Sequence, residues 1–248
     1  MAQDQEGKTV VHNLMNNEPN ETTFKCLKTI FNQKPDLVHI PDNVGDTPLH
    51  YVLKGTHNNV NHIDLLLEHG ADPLQPDSNG NTALHFFARN PLTFKSRIEQ
   101  FQGLGVDINA RNKKGDPPLF EYITHGQLSW VLCQNKEHEN LDNVHHLRYF
   151  KEAGADFFAR NHAGSSLLHV LAGRKLGGRI FGHNEKQYEL PIENLVNWFK
   201  FLVGMNLDPM LEDARQRTCL DVAAACGNEH ILKLFQQTPE HEALNRSD

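Results

Sequence analysis

Apolar residues in this chain gather into short clusters of helical spacing, and the clusters come in pairs. Leu49–Lys54 and Leu84–Arg89 read as brief first helices. Asn61–Glu68 sets Ile63, Leu66 and Leu67 at i, i+3 and i+4, the stripe of a second helix that buries one face. Glu21–Gln33 reads as a second helix of more polar character. Glycines follow the second stripes at Gly70, Gly105, Gly154 and Gly204, where a helix can close in a left-handed cap. Another set, Gly45, Gly80, Gly115 and Gly164, falls in the expected tips of hairpins that lead to the next first helix. Thr47 and Thr82, ahead of Pro48 and Ala83, are the expected N-caps.

These clusters are copies of one unit. GDTPLH at Gly45–His50 recurs as GNTALH at Gly80–His85, and in weaker form as GDPPLF at Gly115–Phe120, GSSLLH at Gly164–His169 and QRTCLD at Gln216–Asp221. GKTVVH at Gly7–His12 is a first, divergent copy. A second phrase answers most of them: LLLEHGADP at Leu65–Pro73, FQGLGVDIN at Phe101–Asn109, FKEAGADFF at Phe150–Phe158 and FLVGMNLDP at Phe201–Pro209. Measured on Val11, Leu49, Leu84, Leu119, Leu168 and Leu220, the steps are 38, 35, 35, 49 and 52 residues. Counted from the second-phrase glycine, the return to the next first helix takes 14 residues three times and 16 from Gly204 to Leu220. The extra length therefore lies between first and second helices, at about 126–140 and 173–189. A unit of this size cannot bury its apolar face alone, so neighbours must stack.

The chain resembles the ankyrin repeat family. Asp42–His50 and Asp77–His85 match its D-x-x-G-x-T-P-L-H opening, and Leu66–Asp72 matches its L-L-x-x-G-A-D close. The resemblance implies an all-α solenoid of stacked helix–turn–helix repeats with projecting β-hairpin loops. It covers about 230 residues, read as one domain over 1–237. The repeats fall at about 7–41, 42–76, 77–111, 112–160, 161–212 and 213–237, with a charged tail at 238–248 that is expected to be disordered. The polar, atypical end repeats suit caps that face water.

Composition narrows the function classes. A hydrophobic share of 38% suits a repeat stack more than a single-core globule, and a net charge of −7 argues against general affinity for nucleic acid. The four cysteines, Cys26, Cys133, Cys219 and Cys226, form no CxxC pair. The first residues hold no apolar signal-peptide core, and no run approaches 18 apolar residues. The expectation is an intracellular protein, cytoplasmic or nuclear or both, monomeric and not bound to membrane.

No group of residues reads as catalytic. His50, His85 and His169 sit on separate repeats, at least roughly 10 Å apart by helix-packing distances, too far for one zinc ion. The resemblance implies that this histidine ties neighbouring repeats together through the backbone. His138, His145 and His146 lie near Cys133 at irregular spacing, and Cys219 with Cys226 reads as one buried helix face. GRKLGG at Gly173–Gly178 lacks phosphate-loop spacing. Neither enzyme activity nor a cofactor is expected. Asn109 occupies a position that, by resemblance to the family, an asparaginyl hydroxylase can modify; its plainer role is to hold the hairpin turn.

The surface candidates are of three kinds. The insertions carry Trp130 in the first, and Arg174, Lys175, Arg179, Phe181 and Tyr188 in the second, residue types enriched at interface hot spots. Val44, Asp46, Asn79, Asn81, Lys113, Lys114, His162 and Arg215 are expected at exposed hairpin tips. Tyr51, Phe86 and Glu121 are expected at exposed first-helix positions, with Tyr51 and Phe86 one repeat apart as an aromatic pair. Recognition through hairpin tips and a concave helix face is what the resemblance implies. The expected function is a non-catalytic scaffold that binds an unidentified protein partner. The alternative is a substrate-recruiting adaptor subunit of a larger enzyme complex.

Overall fold

A computed structural model describes residues 3–16, 20–55, 60–89, 94–125, 144–174 and 192–235. The chain forms two compact units, Met1–Lys113 and Lys114–Asp248. Among the described residues the regular elements are twelve α-helices and one 3-10 turn. The hairpins are tight, backbone-bonded loops with no strand ladder among those residues.

The first unit holds three helix pairs. They are α1 (Val10–Asn16) with α2 (Glu21–Gln33), α3 (Pro48–Lys54) with α4 (Val60–Glu68), and α5 (Ala83–Arg89) with α6 (Phe94–Gly103). First helices pack in series, α1 on α3 and α3 on α5, and α2 packs on α4. The core draws Val11, Leu49, Leu84 and Phe87 from the first row and Leu27, Phe31, Ile63, Leu66 and Phe101 from the second. On α4 the buried stripe is His62, Ile63, Leu65 and Leu66, whereas Leu67, expected in the stripe, is half-exposed. Arg97 of α6 reaches back to α4, donating to Asp64 at 2.5 and 3.0 Å, and its guanidinium holds that carboxyl below the usual carboxylate range. The first repeat closes differently, with a 3-10 turn at Pro35–Val38 after α2.

The second unit also holds three pairs: α7 (Pro118–His125) with α8 (His145–Glu152), α9 (Leu167–Ala172) with α10 (Ile192–Gly204), and α11 (Cys219–Cys226) with α12 (Glu229–Phe235). α9 packs between α7 and α11, and α10 packs on both α9 and α12. Trp198 and Tyr122 are its largest fully buried side chains, with ring centroids 5.1 Å apart.

Two expectations about the local chain need correction, and one hairpin tip departs from its copies. Gly204 does not cap α10 in a left-handed turn; Asn206 does, at φ 66°. Asparagine tolerates that conformation better than most residues, and from Asn206 the return to Leu220 takes the same 14 residues as in the other repeats. Gln216 stands where the other hairpins place glycine and adopts φ 57°. Cys219 and Cys226 do not share a buried face: Cys219 is buried and Cys226 is exposed, next to the left-handed cap at Gly227.

Candidate interaction surface

Five of the hairpins are wired by one side chain at the start. Oδ1 of Asp42 accepts from the Val44 and Asp46 amides, and Oδ1 of Asp77 accepts from Asn79 and Asn81. In the second unit Asn161 and Asp213 do the same for Ala163 with Ser165 and for Arg215 with Arg217. Asp4 plays this part in the first repeat. The Arg217 guanidinium pulls the Asp213 carboxyl down to about 2. Neighbouring tips also bond to each other within each unit. Asn43 N–H donates to Glu6 O, Lys113 to Asn79 O, His162 to Lys114 O and Ala214 to Ala163 O. The packing is close enough that a Cβ on Gly115 would lie 2.6 Å from the His162 ring, so glycine is required there sterically as well as by its φ of 78°.

The repeated histidines anchor this frame. Nδ1 of His12, His50 and His85 accepts from the backbone amide of the N-cap threonine at 3.0 to 3.1 Å, and Nδ1 of His169 accepts from Ser166 at 3.2 Å. Nε2 must then carry the proton. It donates from His12 to Asp46 O, from His50 to Gln75 O and from His169 to Arg217 O. Burial lowers the pKa of His12 and His50, in keeping with a neutral ring. Asp221 replaces the histidine in the last repeat and closes the same box on Thr218 with its carboxylate.

Before four of the hairpins a second device recurs. Oδ1 of Asp72, Asp107, Asp156 and Asp208 accepts the amide two residues on, at Leu74, Asn109, Phe158 and Met210, over 2.8 to 2.9 Å. Asp107 holds the turn at which Asn109 stands. The same turn directs the following side chain outward, so Phe158 is 63% exposed and Met210 42%, with Leu74 also exposed. Gly105 brings the next loop against Leu74, whose Cδ2 would lie 3.8 Å from a Cβ there. Sequence reading passed over this row as a site. The signal available was an apolar residue two places after the turn aspartate in three of four copies.

The expected surface residues divide. Val44, Asn79, Lys113, Lys114, His162 and Arg215 are exposed. Asp46 and Asn81 are buried, because Asp46 is paired with Lys54 at 2.6 Å and Asn81 bonds both Asp77 and Asn112. Tyr51 is half-buried; its hydroxyl donates to Asp42 at 2.7 Å, and burial together with that carboxylate raises its pKa to about 12. Phe86 is 2% exposed, a correction: the charged ends of Lys54 and Arg89 lie over its ring, 5.4 and 5.7 Å from the centroid. Tyr51 and Phe86 therefore do not form an open pair. Glu121 is also buried, 3.6 Å from His125.

Arg174 turns inward. It donates to Ile123 O at 2.7 Å and lies over the Trp198 ring, and burial lowers its pKa to about 10. Trp130, Lys175, Arg179, Phe181 and Tyr188 lie outside the described residues, as do Cys133 and His138. The ring centroids of His145 and His146 lie 3.8 Å apart at a tilt of 45°, and Nδ1 of His146 lies 3.2 Å from the Tyr122 hydroxyl. No described helix is long and apolar enough to cross a membrane.

A helix pair per repeat, a Thr-x-x-His box and glycine-tipped hairpins together define ankyrin repeats. The family model for ankyrin repeats, three copies, matches residues 2–95, which run from the first hairpin into α6. The chain is an ankyrin repeat protein. Similar proteins include ankyrin repeat protein OPG189 of variola virus, 30% identical over 240 residues, 94% of this chain and 41% of that protein. The B-cell lymphoma 3 protein homolog of Mus musculus is 24% identical over 193 residues, 70% of this chain and 42% of that one. Inhibitor of Apoptosis OPG037 of monkeypox virus is 28% identical over 102 residues, 41% of this chain and 22% of that one. The chain spans less than half the length of each of these relatives. Ankyrin repeats in general mediate protein–protein interaction.

Proposed function

We propose that this chain is a non-catalytic recognition module that holds a partner protein on the outward faces of its return loops and hairpin tips. One observation carries the reading. The turn geometry is the same in four loops, while the residues that follow it, Leu74, Asn109, Phe158 and Met210, all differ, with Leu74, Phe158 and Met210 exposed and Asn109 half-exposed. A constant frame that displays varied side chains is the arrangement of a binding surface, because the frame limits the entropy lost when contacts form.

The test is site-specific photo-crosslinking in cell lysate, with the crosslinker at Asn79, Met210 or Arg215, and at Lys25 on α2 as a control. Protein adducts are expected at the loop and tip positions and not at Lys25. Adducts at Lys25 alone, or at none of the positions, would exclude the reading.

A further inference from the structure

The outward residues of the second unit form a polar–apolar–basic sequence, which points to the chemistry of what binds there. From Asp156 to His162 exposure alternates: Asp156, Phe158, Arg160 and His162 face out, while Phe157 and Ala159 are buried. The next loop repeats the pattern, with Asp208, Met210 and Glu212 exposed and Pro209 buried. Arg160 fastens the two loops together, donating from Nε to Gly164 O at 2.7 Å and from its terminal nitrogen to Glu212 O. Phe158 and Met210 are thereby held in equivalent places on adjoining loops.

Charge differs on the two sides of this apolar pair. Toward the helices stand Asp156 and Asp208. Toward the tips stand Lys114, Arg160 and Arg215, all exposed, with His162 among them and Glu212 as the exposed carboxylate. The tip backbones that carry Lys114, His162 and Arg215 are bonded in series, so these side chains share one edge. Asp213, next to Arg215, faces inward onto Arg217.

We propose that this face docks a protein segment bearing a large apolar residue with carboxylates on one side of it. The apolar residue seats on Phe158 and Met210, and the carboxylates lie along the Lys114–Arg215 edge. Asp156 and Asp208 disfavour the reversed orientation, since like charges would then meet. The inference rests on the recognition reading above and names the partner chemistry for one of its surfaces.

A displayed library of random peptides, selected against the full chain, tests it. Selected peptides are expected to share an aromatic or long aliphatic residue with Asp or Glu grouped to one side. Affinity for a selected peptide should fall by about tenfold in Phe158→Ser/Met210→Ser and in Lys114→Glu/Arg215→Glu. Added salt should weaken binding to the wild type more than to the charge-reversed variant. All four positions are exposed, and an unchanged melting temperature would confirm that each variant is folded. Peptides without acidic bias, affinity indifferent to both variants, or no enrichment over the Phe158→Ser/Met210→Ser chain would overturn the proposal. So would self-association of the chain that Phe158→Ser abolishes, since a second copy would then be the occupant. Crosslinks at Asn79 with a negative library result would sink this inference alone; absence of crosslinks at every loop would sink the recognition reading itself.

Discussion

His50 donates from Nε2 to the carbonyl oxygen of Gln75, 2.9 Å away and 25 residues further along the chain. Its Nδ1 meanwhile accepts the Thr47 amide at 3.0 Å. One neutral ring thus closes the first turn of α3 and fastens the segment leading to the next hairpin. Replacing His50 with alanine removes both bonds and leaves the Gln75 carbonyl and the Thr47 amide without this partner. The expected cost is about 1–3 kcal/mol, measured by chemical denaturation.

The same geometry sets a pH dependence. Burial lowers the pKa of His12, His50 and His62 in the folded chain below the usual histidine value. The unfolded chain then binds more protons than the folded one as pH falls through about 6.5, so their contribution to stability is present above that pH and is lost below it. Melting temperature should stay level from about pH 8 to 7 and decline from about pH 6.5 downward. A flat profile to pH 5 would show that these rings accept protons without cost.

His62 presents the opposite situation to His50. It is buried on α4 with an edge-on contact to Phe24 at 5.6 Å, and neither ring nitrogen has a hydrogen-bond partner. Two desolvated polar atoms cost more than an apolar side chain of similar size. His62→Leu is expected to raise stability by about 1 kcal/mol at neutral pH and by more at pH 5, where the wild type loses its neutral-ring contribution. A loss of stability at both pH values would show that the imidazole shape, and not its polarity, matters at this site.

Leu66 is fully buried in the same helix. Leu66→Ala should cost about 2–5 kcal/mol through the cavity it leaves. A change under about 1 kcal/mol in urea titration would mean that the helix collapses into the space.

Gln216 carries a left-handed backbone at φ 57° where Gly45, Gly80, Gly115 and Gly164 occupy the equivalent tips. A side chain with a Cβ pays about 1 kcal/mol for that conformation. Gln216→Gly is therefore expected to stabilise the last hairpin by up to about 1 kcal/mol, against a partial entropic loss from the added glycine. Faster amide exchange at Asp213–Arg217 in the glycine chain would contradict it.

Helix pairing, hairpin tips and the N-cap threonines were legible because each depends on neighbours within a few residues. Glu21–Gln33 was read with the bounds that α2 has. The cap of α10 was misplaced because two candidates, Gly204 and Asn206, sit two residues apart, and only the backbone shows which turns left-handed. Phe86 and Tyr51 hold the same repeat position, so periodicity gives them the same exposure. Over Phe86 lie the charged ends of Lys54 and Arg89, one turn along the first helices of adjoining repeats.

The sequence by itself determined that the chain is built of repeated helix pairs, through a recurring apolar pattern with punctuating glycines, and its motifs carried the resemblance to ankyrin repeats. The tertiary structure alone decided which repeated positions face water. That depends on contacts between repeats: Lys54 reaching the Phe86 ring and Arg174 reaching the Ile123 carbonyl. Local spacing encodes the repeat, but exposure is a property of neighbours brought together by folding.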